Sequence, residues 1–396
     1  MHVESTTLSP AVSSGAAVVH VAGHELRLFT ESAPLIAAMV DDIGRARRRA
    51  WLESYILLED AAGLAVAEVL KQKAAQGVDC RVMYDAFGSA STSSAFFRDL
   101  ERAGVKVHCF HSLRQAFWRF PALRFLNRRN HRKLLVVDDQ IAYFGGMNIV
   151  DQSGAAAAGR ELPASVGWRD VHVRLSGRRQ SRIAAAFDRL WRRVHGRRPR
   201  RWPRWPLKEM LAGEGEGLYF FDCRPQFEHR RATRVLAPLL RRARRSITLS
   251  MAYFIPQGRV LRELLRARRR GVKVRVIIPG VSDVQLAQRA ARHFYDKLLS
   301  HGIQIFERKD QMLHGKTLVI DDEWSVIGSC NIDHRSLWLN LEFVAVVRSR
   351  AMAAAIKRIS AFEMRRSRRV GLADCVGRGW WQRWLDRLAW SWRKWL

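Results

Sequence analysis

The sequence predicts an α/β fold built from two homologous halves on mostly parallel sheets, and three observations carry that prediction. The segment Asn130 to Asp138 is echoed by Leu313 to Asp321. The pairs His131 and His314, Lys133 and Lys316, Asp138 and Asp321, and Asn148 and Asn331 are each separated by 183 residues, a register that unrelated segments would not keep. Apolar, β-branched runs also alternate with helical stretches in both halves, which is the pattern of βαβ units.

Element by element, the halves run in parallel. Arginine-rich Ala46 to Arg49 leads into a buried strand at Trp51 to Tyr55, and Arg241 to Arg245 leads into another at Ile247 to Met251. Helical stretches follow at about Ala65 to Ala75 and Val260 to Arg270. Gly77 and Gly271 close those helices, and β-branched strands begin directly after them. A further helix and strand repeat as Phe96 to Ala103 with Val105 to Val107, and as Ala290 to Ser300 with Ile303 to Ile305.

Between the halves lies Gly196 to Pro206, whose prolines and charges suit neither a helix nor a strand interior. The expected organisation is an N-terminal extension (1–22), a first half (23–195), a linker (196–214), a second half (215–370) and a tail (371–396). The first half also carries extra residues, Ser112 to Arg129, rich in phenylalanine, leucine and arginine. They suit a lipid-facing insertion and an amphipathic surface helix equally.

Over 396 residues, 69 lysines and arginines face 37 acids, a formal charge of +32. That balance favours anionic partners: phospholipid headgroups, nucleic acid or acidic small molecules. Five widely spaced cysteines with no C-x-x-C indicate neither a disulfide framework nor a zinc site, so a reducing compartment fits. The first residues lack a basic region ahead of an apolar run, and no apolar stretch approaches the roughly 20 residues that span a bilayer. A membrane would be met from the side.

In His-x-Lys on a strand, both side chains leave the same face with Cα atoms about 7 Å apart. A nucleophile is thereby paired with a positive charge. The apolar runs Leu134 to Val137 and Leu318 to Ile320 bury the strand, so polar groups at its start are costly unless partners satisfy them. One such motif is a weak signal; two in register, each followed by an asparagine, are a strong one. Zinc binding is disfavoured, because an ammonium two residues away repels a cation and no third ligand cluster is visible.

This constellation resembles the HKD motif of the phospholipase D superfamily: His131, Lys133, Asp138 with Gly145-Gly146-Met147-Asn148, and again His314, Lys316, Asp321 with Gly328-Ser329-Cys330-Asn331. The flanks resemble the bacterial cardiolipin synthase branch, in its short peripheral subgroup: Trp168-Arg169-Asp170, and Asn331-Ile332-Asp333-His334-Arg335 ahead of Glu342. The resemblance implies two phospholipase D-like α/β/α halves with mixed, mostly parallel sheets, packed about a pseudo-two-fold axis with one active site at their interface. It implies His131 as nucleophile and His314 as acid and base. It places Lys133, Lys316, Asn148 and Asn331 on the phosphate oxygens, with Ser329 as an added donor. Asp170 and Glu342 would orient the histidines, and Asp138 and Asp321 would brace the motif's own backbone or lysine.

The same resemblance implies a phosphatidyltransferase that needs no metal or cofactor. It would move a phosphatidyl group between phosphatidylglycerol molecules through a phosphohistidine, at the cytoplasmic side of the cell membrane. Which lipid accepts stays open: water would give phosphatidic acid. A nuclease built on the same motifs is the rival, since phosphate contacts would also explain the charge. The C-terminal segment favours lipid, because Trp381, Trp384, Leu385, Leu388, Trp392 and Trp395 fall at near-helical spacing among arginines, a pattern suited to the bilayer interface.

Overall fold

The computed structural model describes residues 17–111, 127–151, 168–178, 180–197, 205–224, 231–282 and 284–392. Most of the 112–129 insertion, the middle of the linker and Trp395 lie outside the described residues. The first half contains β1 (Ala17–Val21), β2 (His24–Phe29), β3 (Arg49–Ser54), β4 (Asp79–Asp85), β5 (Lys106–Phe110), β6 (Leu134–Val137), β7 (Ile141–Gly145), β8 (Trp168–Arg169) and β9 (His172–Ser176). The second contains β10 (Gly217–Cys223), β11 (Ser246–Met251), β12 (Lys273–Pro279), β13 (Gln304–Arg308), β14 (Met312–Leu313), β15 (Lys316–Ile320), β16 (Trp324–Gly328), β17 (Glu342–Arg348) and β18 (Ser367–Val370).

These strands form two eight-stranded sheets, ordered β1-β2-β9-β7-β6-β3-β4-β5 and β10-β17-β16-β15-β11-β12-β13-β18. The sheets are mixed but mainly antiparallel, which corrects the expectation of mostly parallel ones. Only β3-β4-β5 and β11-β12-β13 run parallel within them. Those are the βαβ units legible in the sequence, joined by the helices Ala61–Ala75, Ser94–Arg102, Gly258–Arg269 and Tyr295–Ser300.

The remaining neighbours are antiparallel, and the hairpins β1-β2, β6-β7 and β15-β16 have to be, because their connections are too short for a crossover. Only Asp138, Asp139 and Gln140 separate β6 from β7, and Asp321, Asp322 and Glu323 separate β15 from β16. Ala22 and Gly23 close β1 onto β2 with φ of 48° and 77°, the left-handed pair that a two-residue hairpin requires.

Each sheet buries one face under its own helices and the other against the partner half. In the shared layer, Phe144 and Val173 pack with Phe220, Phe343 and Ala345 from the second sheet. Phe144 meets Phe220 edge-on, with ring centres 5.5 Å apart. The helix Arg350–Arg365 of the second half lies against β1 of the first, and Gln180–Val194 of the first lies against β10 of the second. Truncating a ring in such a layer costs about 3–5 kcal/mol, so docking of the halves is a large part of the fold's stability.

The chain then extends the second sheet's edge, where β18 pairs antiparallel with β13. The helix Trp380–Ser391 folds back onto the helix Gln285–Arg292.

Candidate active site

Each motif histidine sits just ahead of a buried strand, β6 or β15, and is fixed there by backbone pairing with the opposite half. His131 N donates to Leu341 O at 3.0 Å, and Leu341 N donates to Arg129 O at 2.8 Å. His314 N donates to Arg169 O at 2.6 Å, beside the two-strand ladder of β14 with β8. The strand ends carrying the acids are thus laced to the strand starts carrying the histidines.

This lacing crosses the acids over. Nδ1 of His131 lies 3.1 Å from both carboxylate oxygens of Glu342, and Nδ1 of His314 lies 2.6 Å from Oδ2 of Asp170. A ring that donates from Nδ1 keeps Nε2 for a substrate. The sequence pattern suggested that these acids orient histidines; that each serves the other half's histidine emerges only from the fold.

The two acids are seated differently. Oγ of Ser329 donates to Glu342 Oε2 and accepts from Phe343 N at 3.0 Å. The hydroxyl expected at the phosphate is therefore committed to the acid. At the matching position Gly146 is required, because a Cβ there would lie 2.2 Å from the Asp170 carboxylate. The shorter Asp170 approaches the backbone itself and accepts from Val171 N at 2.7 Å.

Both lysines fold back toward their own motifs. Lys133 Nζ donates to His131 O at 2.8 Å and lies over the Tyr55 ring. Lys316 Nζ donates to His314 O and lies 3.2 Å from Asp170 Oδ2 and 2.8 Å from His314 Nδ1. Oδ1 of Asn148 accepts from Ile56 N at 3.2 Å, which turns its amide nitrogen away from that contact. Asn331 is buried at the corresponding turn after β16. Tyr55 and Trp168 pack against the rings of His131 and His314, with centres 5.1 and 5.0 Å apart.

Burial sets the electrostatics. It drives the His131 imidazole well below its ordinary range, and Lys133, Lys316 and His314 push the same way. Burial pushes Glu342 up to about 7, against the pull of Lys133 and Ser329. Burial also acts to raise Asp170, but Lys316 and His314 outweigh it and hold that carboxyl below its usual value. Lys133 is lowered to about 7 by desolvation. One histidine is thereby disposed to be neutral, while the other faces an ionised carboxylate.

Asp138 and Asp321 stand at the far ends of β6 and β15, away from the histidines. Asp138 accepts from the backbone N–H of Arg47, Arg48 and Arg49 at 2.9, 2.8 and 3.0 Å. Asp321 takes Arg244, Arg245 and Ser246 at 2.7, 2.7 and 2.9 Å. They brace the entrance to the neighbouring strand, and neither contacts the motif lysine.

A buried network beneath His131 escaped the sequence reading. Arg132 donates from Nε and one terminal nitrogen to Glu53 at 2.9 and 2.8 Å, and from the other to Asp222 of the second half at 2.9 Å. Asn130 Nδ2 joins at Glu53 Oε1, 2.6 Å away. The available signals were a glutamate inside the apolar run Trp51-Leu52-Glu53 and an arginine at the middle of His-x-Lys. The second half has Ser250 and Gly315 at those places, so the network occurs once.

Two buried imidazoles, each steadied by a carboxylate of the opposite half, with lysines and asparagines beside them, make an arrangement suited to phosphodiester transfer or cleavage. Among the described residues no three histidine, cysteine or acidic side chains gather as a metal-binding group. The chain belongs to the phospholipase D superfamily: the family model described as cardiolipin synthase, PLD-like domain, matches residues 39–161 and 236–363.

It is similar to cardiolipin synthase A of Cronobacter sakazakii, with 31% identity over 380 residues covering 94% of this chain and 75% of the relative. A cardiolipin synthase of Listeria welshimeri is 31% identical over 342 residues, covering 84% and 67% of the two chains. Among solved structures, phosphatidylserine synthase of Haemophilus influenzae shares the fold with a TM-score of 0.66 at 13% identity, covering 93% of this chain and 92% of that one. Polyphosphate kinase of Porphyromonas gingivalis aligns with a TM-score of 0.59 at 16% identity, covering 88% and 49%. At such identities the likeness is one of fold.

Proposed function

We propose that this protein is a cardiolipin synthase that transfers a phosphatidyl group from one phosphatidylglycerol to another through a phosphohistidine. The observation that carries this reading is the crossed pairing of His131 with Glu342 and His314 with Asp170, which holds two imidazoles in unlike electrostatic settings at one interface. The similarity to curated cardiolipin synthases supports the choice of lipid.

In the first step, Nε2 of neutral His131 attacks phosphorus, the phosphorus–oxygen bond to the donor's glycerol headgroup breaks, and protonated His314 gives its proton to the departing oxygen. Glycerol leaves, and His131 carries the phosphatidyl group. In the second step, neutral His314 takes the proton from a glycerol hydroxyl of another phosphatidylglycerol. That oxygen attacks phosphorus, the phosphorus–nitrogen bond breaks, and cardiolipin is released. Lys133, Lys316 and the amides of Asn148 and Asn331 stabilise the charge that grows on the nonbridging oxygens. Asp138 and Asp321 act through the backbone.

The enzyme works from the membrane surface at its cytoplasmic side, and no helix among the described residues is long and apolar enough to cross a membrane. Purified protein supplied with phosphatidylglycerol alone is expected to release glycerol and form cardiolipin, with a phosphatidyl adduct on His131 detectable by mass spectrometry when His314→Ala is given a donor whose alcohol departs without a proton. Phosphatidic acid as sole product would make it a hydrolase instead, and metal-independent cleavage of DNA without lipid turnover would make it a nuclease.

A further inference from the structure

Most of the large apolar side chains that remain exposed among the described residues lie in the C-terminal helices and the helix beside them; Val18, Leu64 and Phe87 are exposed elsewhere. The helix Trp380–Ser391 carries Trp380, Trp384 and Leu388 at four-residue spacing, continued by Trp392, with Trp381 stacked on Trp384 at 4.9 Å. Their exposure runs from 43% at Leu388 to 77% at Trp380. Leu286 of the neighbouring helix Gln285–Arg292 adds to the patch at 41%.

The opposite face of this helix is docked. Asp386 and Ala389 are buried, Arg378 donates to Asp386 Oδ2 at 2.8 Å, and Trp390 stacks on His293 with ring centres 5.0 Å apart. Arg289 and Arg292 supply further positive field around Asp386. The helix is therefore a fixed part of the body, with the tryptophans turned outward by its docking.

Its position relates it to the histidines. β11 and β12 are parallel and so end on the same side of the sheet. From β11 the chain passes to Tyr253, whose ring lies 6.4 Å from that of His314. From β12 it passes at Pro279 into the helix Gln285–Arg292, and one small cavity is lined by both Tyr253 and Ala287. The tail helix packs on that same helix, at the active-site end of the second half.

We propose that the outward face of Trp380–Ser391 is a membrane contact that seats at headgroup depth in an anionic bilayer and orients the active-site end of the protein toward that surface; the orienting role rests on the lipid-transfer reading above. Indole rings favour the interfacial zone, and exposed Arg383 and Arg387 on a chain of charge +32 complement acidic headgroups. An aromatic stripe of this size has no reason to stay exposed in water alone.

The test uses the full chain and vesicles of phosphatidylcholine mixed with phosphatidylglycerol. In the variant Trp380→Ser, Trp381→Ser, Trp384→Ser and Trp392→Ser, every change lies on the exposed face. Sedimentation with vesicles is expected to weaken at least about 100-fold and vesicle turnover to fall with it, while turnover of the same lipid in detergent micelles persists. Unchanged sedimentation overturns the proposal, as does a wild-type dimer that becomes monomeric in the variant with vesicle binding intact. Lost vesicle binding with no phospholipid turnover by either protein in micelles would keep the contact and defeat the lipid-transfer reading. Asp386→Ala, which frees the inner face, should still sediment but turn over vesicle lipid at least about tenfold more slowly; full turnover overturns the orienting role.

Discussion

Asp170, carried by the first half, lies 2.6 Å from Nδ1 of His314 in the second. The geometry makes each half the custodian of the other's imidazole. Asp170→Asn and Glu342→Gln should therefore each lower kcat by about 10² to 10⁴ while KM changes little, because the wrong tautomer is left beside an intact binding surface. Steady-state kinetics on phosphatidylglycerol would check this, and a loss confined to KM would contradict it.

The two histidines should separate by leaving group. His131→Ala is expected to abolish turnover with any donor. His314→Ala should also be inactive on phosphatidylglycerol, yet release the alcohol at least about 100-fold faster from a donor whose alcohol departs without a proton, such as a nitrophenyl phosphodiester, in a burst that leaves the adduct on His131. Equal inactivity of both variants on that donor would speak against the assigned roles.

Glu342 supplies a pH dependence of stability. Its folded value of about 7 stands above the ordinary 4.5, so between those limits the folded chain holds a proton that the unfolded chain lacks. The stabilising contribution is complete below about pH 4.5 and is lost as pH rises through about 7. Glu342→Gln removes the dependence. In calorimetry its Tm should gain on the parent between about pH 5 and pH 8; a constant difference would contradict the shift.

Asp138 should matter for folding more than for chemistry. Its carboxylate holds three backbone N–H groups at the start of β3, and Asp138→Ala should cost about 1–3 kcal/mol in denaturant unfolding. The folded variant should keep kcat within about threefold. A loss of several hundredfold without destabilisation would place the residue in the chemistry.

Arg132 ties the halves together through Glu53 and Asp222. Arg132→Met strands both carboxylates in the interior and should destabilise the protein by about 3–5 kcal/mol. Arg132→Met combined with Glu53→Gln and Asp222→Asn should recover part of that loss, measured by chemical denaturation.

The duplicated motif was legible because its register survives intact, and the βαβ segments because glycines and β-branched runs mark their ends. The antiparallel return strands were not. Their evidence lies in turns such as Asp138 to Gln140, whose acids read more readily as motif residues than as a hairpin. Crossing of the acids was equally hidden, since Asp170 follows its own half's histidine by 39 residues and Glu342 follows His314 by 28, which points to pairing within each half. Leu385, grouped with the outward tryptophans by spacing alone, falls on the half-buried side once the helix docks. Burial against a partner surface is what linear periodicity lacks.

The backbone lacing of Arg129 to His131 with Leu341, and of β14 with β8, has a further consequence. A solitary copy of the repeat would carry an imidazole with no carboxylate to set it, so one half alone would need a second copy beside it. Joined in one chain, the two copies can differ: Gly146 stands beside Asp170 and Ser329 beside Glu342, which leaves the two imidazoles in unlike settings.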